Sequence, residues 1–149
     1  MVNTILVPTD GSEHAERAAE EAFALAQKLD ARVHILAVAD SAVVAAATYT
    51  GASRPIREGL EEKAQERVNR LEQKGKEYKL DIVTGIKYGT PAKQIVEYAE
   101  LNPIDMIIIG TRGRGGVERA IIGSVADQVV RTSPVPVLTI RPEATQATE

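Results

Sequence analysis

Gly110 and Gly113 stand two residues apart, and nine residues further on Gly123 is followed by Ser124. The first glycine closes a short apolar run, Met106-Ile107-Ile108-Ile109, and the last pair opens an apolar-periodic segment. Glycines at such a junction let the backbone approach a ligand closely and turn its N–H groups outward. Ser124 at the head of a helix adds a hydroxyl beside unpaired N–H donors and the positive end of the helix dipole. That chemistry suits a phosphate group. A steric reading is also open, because glycine-rich turns between strand and helix are common in α/β proteins without any ligand.

Charge bears on the choice. Arg112, Arg114 and Arg119 surround the glycines with only Glu118 opposing them, in a chain of net charge −3. Cations beside oriented N–H groups favour a polyanion, although each arginine taken singly fits an ordinary solvated face. A second polar cluster, Thr9-Asp10-Gly11-Ser12, follows the apolar run Thr4-Ile5-Leu6-Val7. Asp10 can accept from a sugar hydroxyl or from metal-bound water, or it can simply cap a helix. Neither cluster contains a general base poised for water or a phosphate-binding lysine of the Walker type. No catalytic residue is assigned, and any hydrolysis is expected to be slow.

These residues need elements to hold them. Residues 4–7 read as a buried strand stopped by Pro8. Asp10 or Ser12 then caps a helix, and from Asp10 the capping-box position falls on Glu13. Ala15, Ala18, Ala19, Ala22, Phe23, Ala26 and Leu29 form its inward stripe. Residues 32–38 read as the second strand. Residues 40–53 carry no assignable pattern, and a stretch of that length marks a functional or mobile element. Ile56, Leu60, Ala64, Val68 and Leu71 mark a long helix ending near Gly75, and residues 81–86 a third strand. Thr90-Pro91 starts a helix that ends before Asn102-Pro103. After the strand at 106–109, a last helix headed by Gly123-Ser124 continues through Val125, Gln128 and Val129 to Ser133-Pro134. The run Val135-Pro136-Val137-Leu138-Thr139-Ile140 reads as a fifth strand, with Pro136 placing it at an edge.

Strands alternating with helices predict right-handed crossovers and a parallel sheet covered on both faces. Ligands bind such sheets at the carboxyl ends of strands, where strand order reverses. At 149 residues the chain is read as one domain, with about 142–149 as a disordered tail. It has no cysteine, and His14 and His34 are expected to be structural. Net acidity, the absence of Trp and a single Phe argue against nucleic acid as a partner. No apolar run reaches the ~20 residues of a membrane span, and a cytoplasmic protein is expected.

Taken together, these residues resemble the universal stress protein family in its ATP-binding branch. Its pattern of Gly, two residues, Gly, nine residues, then Gly with Ser or Thr stands complete here. The opening Pro8-Thr9-Asp10-Gly11-Ser12, the run from Asp105 to Gly110 and the closing Ser133-Pro134-Val135 segment match as well. The resemblance implies an α/β three-layer sandwich, with five parallel strands in order 3-2-1-4-5 and helices on both faces. It also implies a homodimer, for which the residue 135–140 edge strand is the expected contact. Pro8, Thr9 and Asp10 would then line base and ribose, Val38 would touch adenine, and Ile109 with Gly110 would floor the site. Gly113, Gly123, Ser124 and Val125 would meet ribose and phosphates. The cofactor implied is ATP, or AMP or ADP, with Mg²⁺ or Mn²⁺ bound through the phosphates and no protein metal site. The function implied is a nucleotide-dependent stress-response regulator acting by a change of shape or partner. The alternatives are a dimeric interaction module with a vestigial or AMP-filled pocket, and a slow ATP hydrolase.

Overall fold

The computed structural model describes residues 1–111 and 123–141. The tail expected at 142–149 lies outside them. The described elements run β1 (Thr4–Thr9), α1 (Glu13–Leu29), β2 (Arg32–Asp40), α2 (Ser41–Ala46), α3 (Ser53–Lys76), β3 (Ile82–Gly89), α4 (Pro91–Leu101), β4 (Met106–Gly110), α5 (Ser124–Thr132) and β5 (Val137–Ile140). The strands form one parallel sheet in the order β3-β2-β1-β4-β5, as the resemblance implied.

Side chains alternate across the sheet, so each strand feeds two cores. On one face Ile5, Val7, Val33, Ile35 and Ile108 pack against α1 and α3 through Ala19, Ala22, Phe23, Val68 and Leu71. On the other, Leu6, Leu36, Ile107 and Ile109 meet α4 and α5 through Ala92, Ile95, Tyr98 and Val129. The alanine stripe of α1 is buried from Ala15 to Ala26, whereas Leu29 at its end is 43% exposed. Small side chains let α1 lie close to the sheet, and Gly110 takes up the remaining space. A Cβ at Gly110 would stand 2.7 Å from the His14 carbonyl oxygen.

Several element boundaries differ from expectation for identifiable reasons. β1 does not stop at Pro8 but runs through it to Thr9. The Thr4 N–H donates to Asp105 Oδ2 at 3.0 Å and its carbonyl accepts from Asp105 N at 2.9 Å, so even-numbered residues of β1 face β4. The β1–β4 pairing covers only Ile5 and Leu6. Pro8, in phase with Thr4, therefore turns its nitrogen toward a neighbour that has already separated, where a missing donor costs nothing. At the start of α1 the cap is Ser12, whose Oγ accepts from Ala15 N at 3.1 Å. Asp10 sits outside the helix and accepts from Ser12 N at 2.9 Å, so Glu13 is the first helical residue and not a capping-box partner.

β2 extends to Asp40, and β3 covers Ile82–Gly89 instead of 81–86. The unassigned stretch after β2 folds as α2, capped by Asp40 Oδ1 on Ala42 N at 2.9 Å, and a 3₁₀ turn at Thr48–Thr50. α4 starts with Pro91 in its first turn, as expected, but Thr90 makes no side-chain capping bond. β5 begins at Val137 and not at Val135. Ser133 Oγ accepts from Val135 N and donates to Val135 O, holding that stretch in a local turn. Pro136 precedes the strand and contributes its carbonyl to Ile107 N at 2.9 Å. Among the described residues no helix is long and apolar enough to cross a membrane.

His34 is structural, as expected. It is 6% exposed on β2, with Nδ1 2.7 Å from the Tyr98 hydroxyl of α4. Burial lowers its pKa from the usual histidine value, Arg32 lowers it further, and Asp81 opposes. The unfolded chain then binds the proton more readily than the fold does. Stability is full above the unfolded value of about 6.5 and is lost as pH falls below it. The wild type should therefore lose stability to urea more steeply than His34→Gln between about pH 7.5 and 5.5; parallel losses would remove His34 as the cause. Gly110→Ala should destabilise the fold by about 1–3 kcal/mol in the same assay, because the added methyl collides with backbone. An unchanged midpoint would show that α1 can retreat.

Candidate functional site

The parting of β1 and β4 opens a crevice at the carboxyl edge of the sheet, at the point where successive connections leave in opposite directions. A cavity of about 360 Å³ occupies it, within the range of small-molecule sites. Its apolar wall comes from Leu36 and Val38 of β2, Ile109 of β4, Val43 of α2 and Leu60 of α3. Its polar part comes from the β1–α1 loop, Thr111 and the start of α5.

Each polar group is held by local chemistry. Thr9 is 7% exposed, and its Oγ1 accepts from Gly11 N at 3.1 Å. Gly11 has φ of 81°, a left-handed conformation that glycine adopts without strain. Together with the Asp10 bond to Ser12, this ties the loop into a compact turn beneath α1. Thr111 is 4% exposed and anchored to β5, its N–H donating to Ile140 O at 2.9 Å. Gly123 is the N-cap of α5 and makes no side-chain capping bond, so the first-turn N–H groups of that helix have no side-chain acceptor at the cap. An apolar slot, fixed hydrogen-bonding groups and a helix N-terminus at one cavity suit a ligand with a flat apolar part and an anionic part.

Of the residues singled out from sequence, Pro8, Thr9, Asp10, Val38, Ile109, Gly110, Gly123, Ser124 and Val125 all line this cavity. Gly113 lies outside the described residues, with Arg112, Arg114, Glu118 and Arg119. The cavity also takes in residues the sequence reading did not place there: His14, Leu36, Asp40, Val43, Leu60, Arg67, Pro91 and Ile95. Asp40 and Val43 belong to the unassigned stretch. Arg67 carried a usable signal, since it falls seven residues after Leu60 and four before Leu71 on the inward side of α3.

The sequence pattern of the universal stress protein family matches residues 1–141. The chain is 36% identical over 137 residues to universal stress protein MJ0531 of Methanocaldococcus jannaschii, covering 92% of this chain and 81% of the relative. Among solved structures, protein MJ0577 superposes with a TM-score of 0.84 at 27% identity, over 97% of this chain and 99% of the other. A universal stress protein in complex with cAMP superposes with a TM-score of 0.63 at 26% identity, over 94% and 97% of the two chains. The fold, its strand order and these matches agree: the chain belongs to the universal stress protein family.

Proposed function

We propose that this protein is an adenine-nucleotide receptor, binding ATP and, through its shorter phosphate tails, ADP and AMP. Its output is a change of shape or partner. The observation that carries the reading is the convergence of Val38, Ile109, Asp10 and the α5 N-terminus on one cavity. Leu36, Val38 and Ile109 offer apolar surface for a purine, and Asp10 on the same wall would accept from a ribose hydroxyl. The first turn of α5, with Gly123 and Ser124, offers donors to phosphate. A family structure holding cAMP supports the choice of an adenine nucleotide.

Mg²⁺ or Mn²⁺ would be carried on the phosphate oxygens, hard ligands that such cations prefer. Among the described residues no cluster of three or more His, Cys, Asp or Glu is built to hold a metal. The reading as a receptor with at most slow hydrolysis is supported by the use of Asp10, whose Oδ1 serves the Ser12 N–H. Calorimetric titration with ATP, ADP and AMP, with and without Mg²⁺, is expected to show saturable binding. Val38→Lys should weaken it about tenfold or more by placing an ammonium in the apolar slot. Absence of saturable heat with all three nucleotides would overturn the assignment and leave an interaction module.

Pairing through β5 completes the proposal. Among the described strands β5 pairs with β4 alone, and Leu138 on it and Val130 on α5 are 40% and 45% exposed. An edge of this kind is satisfied by a second copy across a two-fold axis. Sedimentation should give a dimer at micromolar concentration and a monomer for Leu138→Lys; a monomeric wild type would refute the pairing.

A further inference from the structure

α1 and α3 lie side by side on one face of the sheet and are laced by ion pairs at matching turns. Lys74 Nζ is 2.8 Å from Glu20 Oε2, and one turn earlier Arg70 Nε is 3.0 Å from Glu16 Oε2. One turn earlier again, α3 presents Arg67, spaced three and seven residues before Arg70 and Lys74. At that level α1 has ended. In place of a carboxylate the arginine meets Gly11, and its guanidinium lies so close that a Cβ there would stand 2.5 Å from Nε.

Arg67 thus lines the cavity as a half-buried cation, and among the described residues no carboxylate forms an ion pair with it. It also sits beside the N-terminus of α1, the positive end of that helix, whose first turn carries Glu13 and Glu16. The other charged side chains that line the described cavity, Asp10 and Asp40, each give one carboxylate oxygen to a backbone N–H, of Ser12 and Ala42. A planar guanidinium on a cavity wall is suited to phosphate oxygens, which it can take two at a time.

We infer that Arg67 grips the anionic tail of the bound nucleotide from the α3 side, opposite the glycine–serine turn at α5, and sets the preference for phosphorylated over unphosphorylated adenosine. This rests on the nucleotide reading of the cavity. Arg67 is a specificity residue: it adds affinity through the phosphates and none through the base.

The test compares adenosine, AMP and ATP on the wild type, Arg67→Gln and Arg67→Lys by calorimetry at constant ionic strength. Arg67→Gln should bind ATP about tenfold more weakly or worse, the loss expected for one charge-assisted bond, while adenosine affinity stays within about twofold. Arg67→Lys should recover part of the ATP affinity, since an ammonium restores charge without the fork. Equal losses for adenosine and ATP would assign Arg67 a packing role, and unchanged ATP affinity would remove it from the site; either result overturns the inference and leaves the cavity reading standing. A wild type that binds none of the three takes down the cavity reading itself.

Discussion

The centre of the sheet stays open at one end because the next residue of β1 to face β4 after Leu6 is Pro8, which has no hydrogen to donate. Parallel strands are held by evenly spaced bonds, and a neighbour without a donor ends the ladder cheaply at that point. Three further features follow from the gap. The β1–α1 loop is free to fold into its own turn, stitched by Thr9, Asp10 and Ser12. The end of β4 can bend toward α1, where Gly110 lies against the His14 carbonyl. A cavity can exist between two strands that would otherwise close on each other.

Within that gap, polar groups are distributed economically. Thr9, Asp10, Ser12 and Asp40 satisfy backbone N–H groups near their own positions, which fixes the walls before any ligand arrives. Such local bonds cost little chain entropy because the partners are two or three residues apart. Among the described residues, the first turn of α5 has no side-chain cap and the guanidinium of Arg67 forms no ion pair. The cavity therefore combines acidic side chains engaged in structure with donors left available, in a chain whose net charge is −3.

The two-sided layering was legible because the apolar runs of β1, β2 and β4 are short, continuous and bounded by glycine, proline or aspartate, whereas the strand order came from the family resemblance. The glycine–serine spacing and the Pro8–Asp10 turn both pointed to this crevice for a similar reason: backbone requirements leave few residue types to choose from. Pro8 misled the reading of strand length, since a proline usually ends a ladder and only the tertiary pairing shows which way its nitrogen faces. Residues 40–53 gave no pattern because a helix of one and a half turns and a 3₁₀ turn are too short to display periodicity. Arg67 was hidden by its own type. A charge inside an amphipathic pattern reads as the solvated face, even where its spacing from Leu60 and Leu71 puts it on the inward side of α3 beside the start of α1.

A parallel sheet sends every strand toward the same rim, and this one places all its candidate chemistry there. The opposite rim carries the returns into the strands, among them the turns at Asp30 and Lys79, two non-glycine residues with left-handed backbone. Those returns are short and peripheral to the cavity. That rim can therefore take changes of length or charge without touching the cavity lining, so the two ends of one small domain differ in what a substitution disturbs.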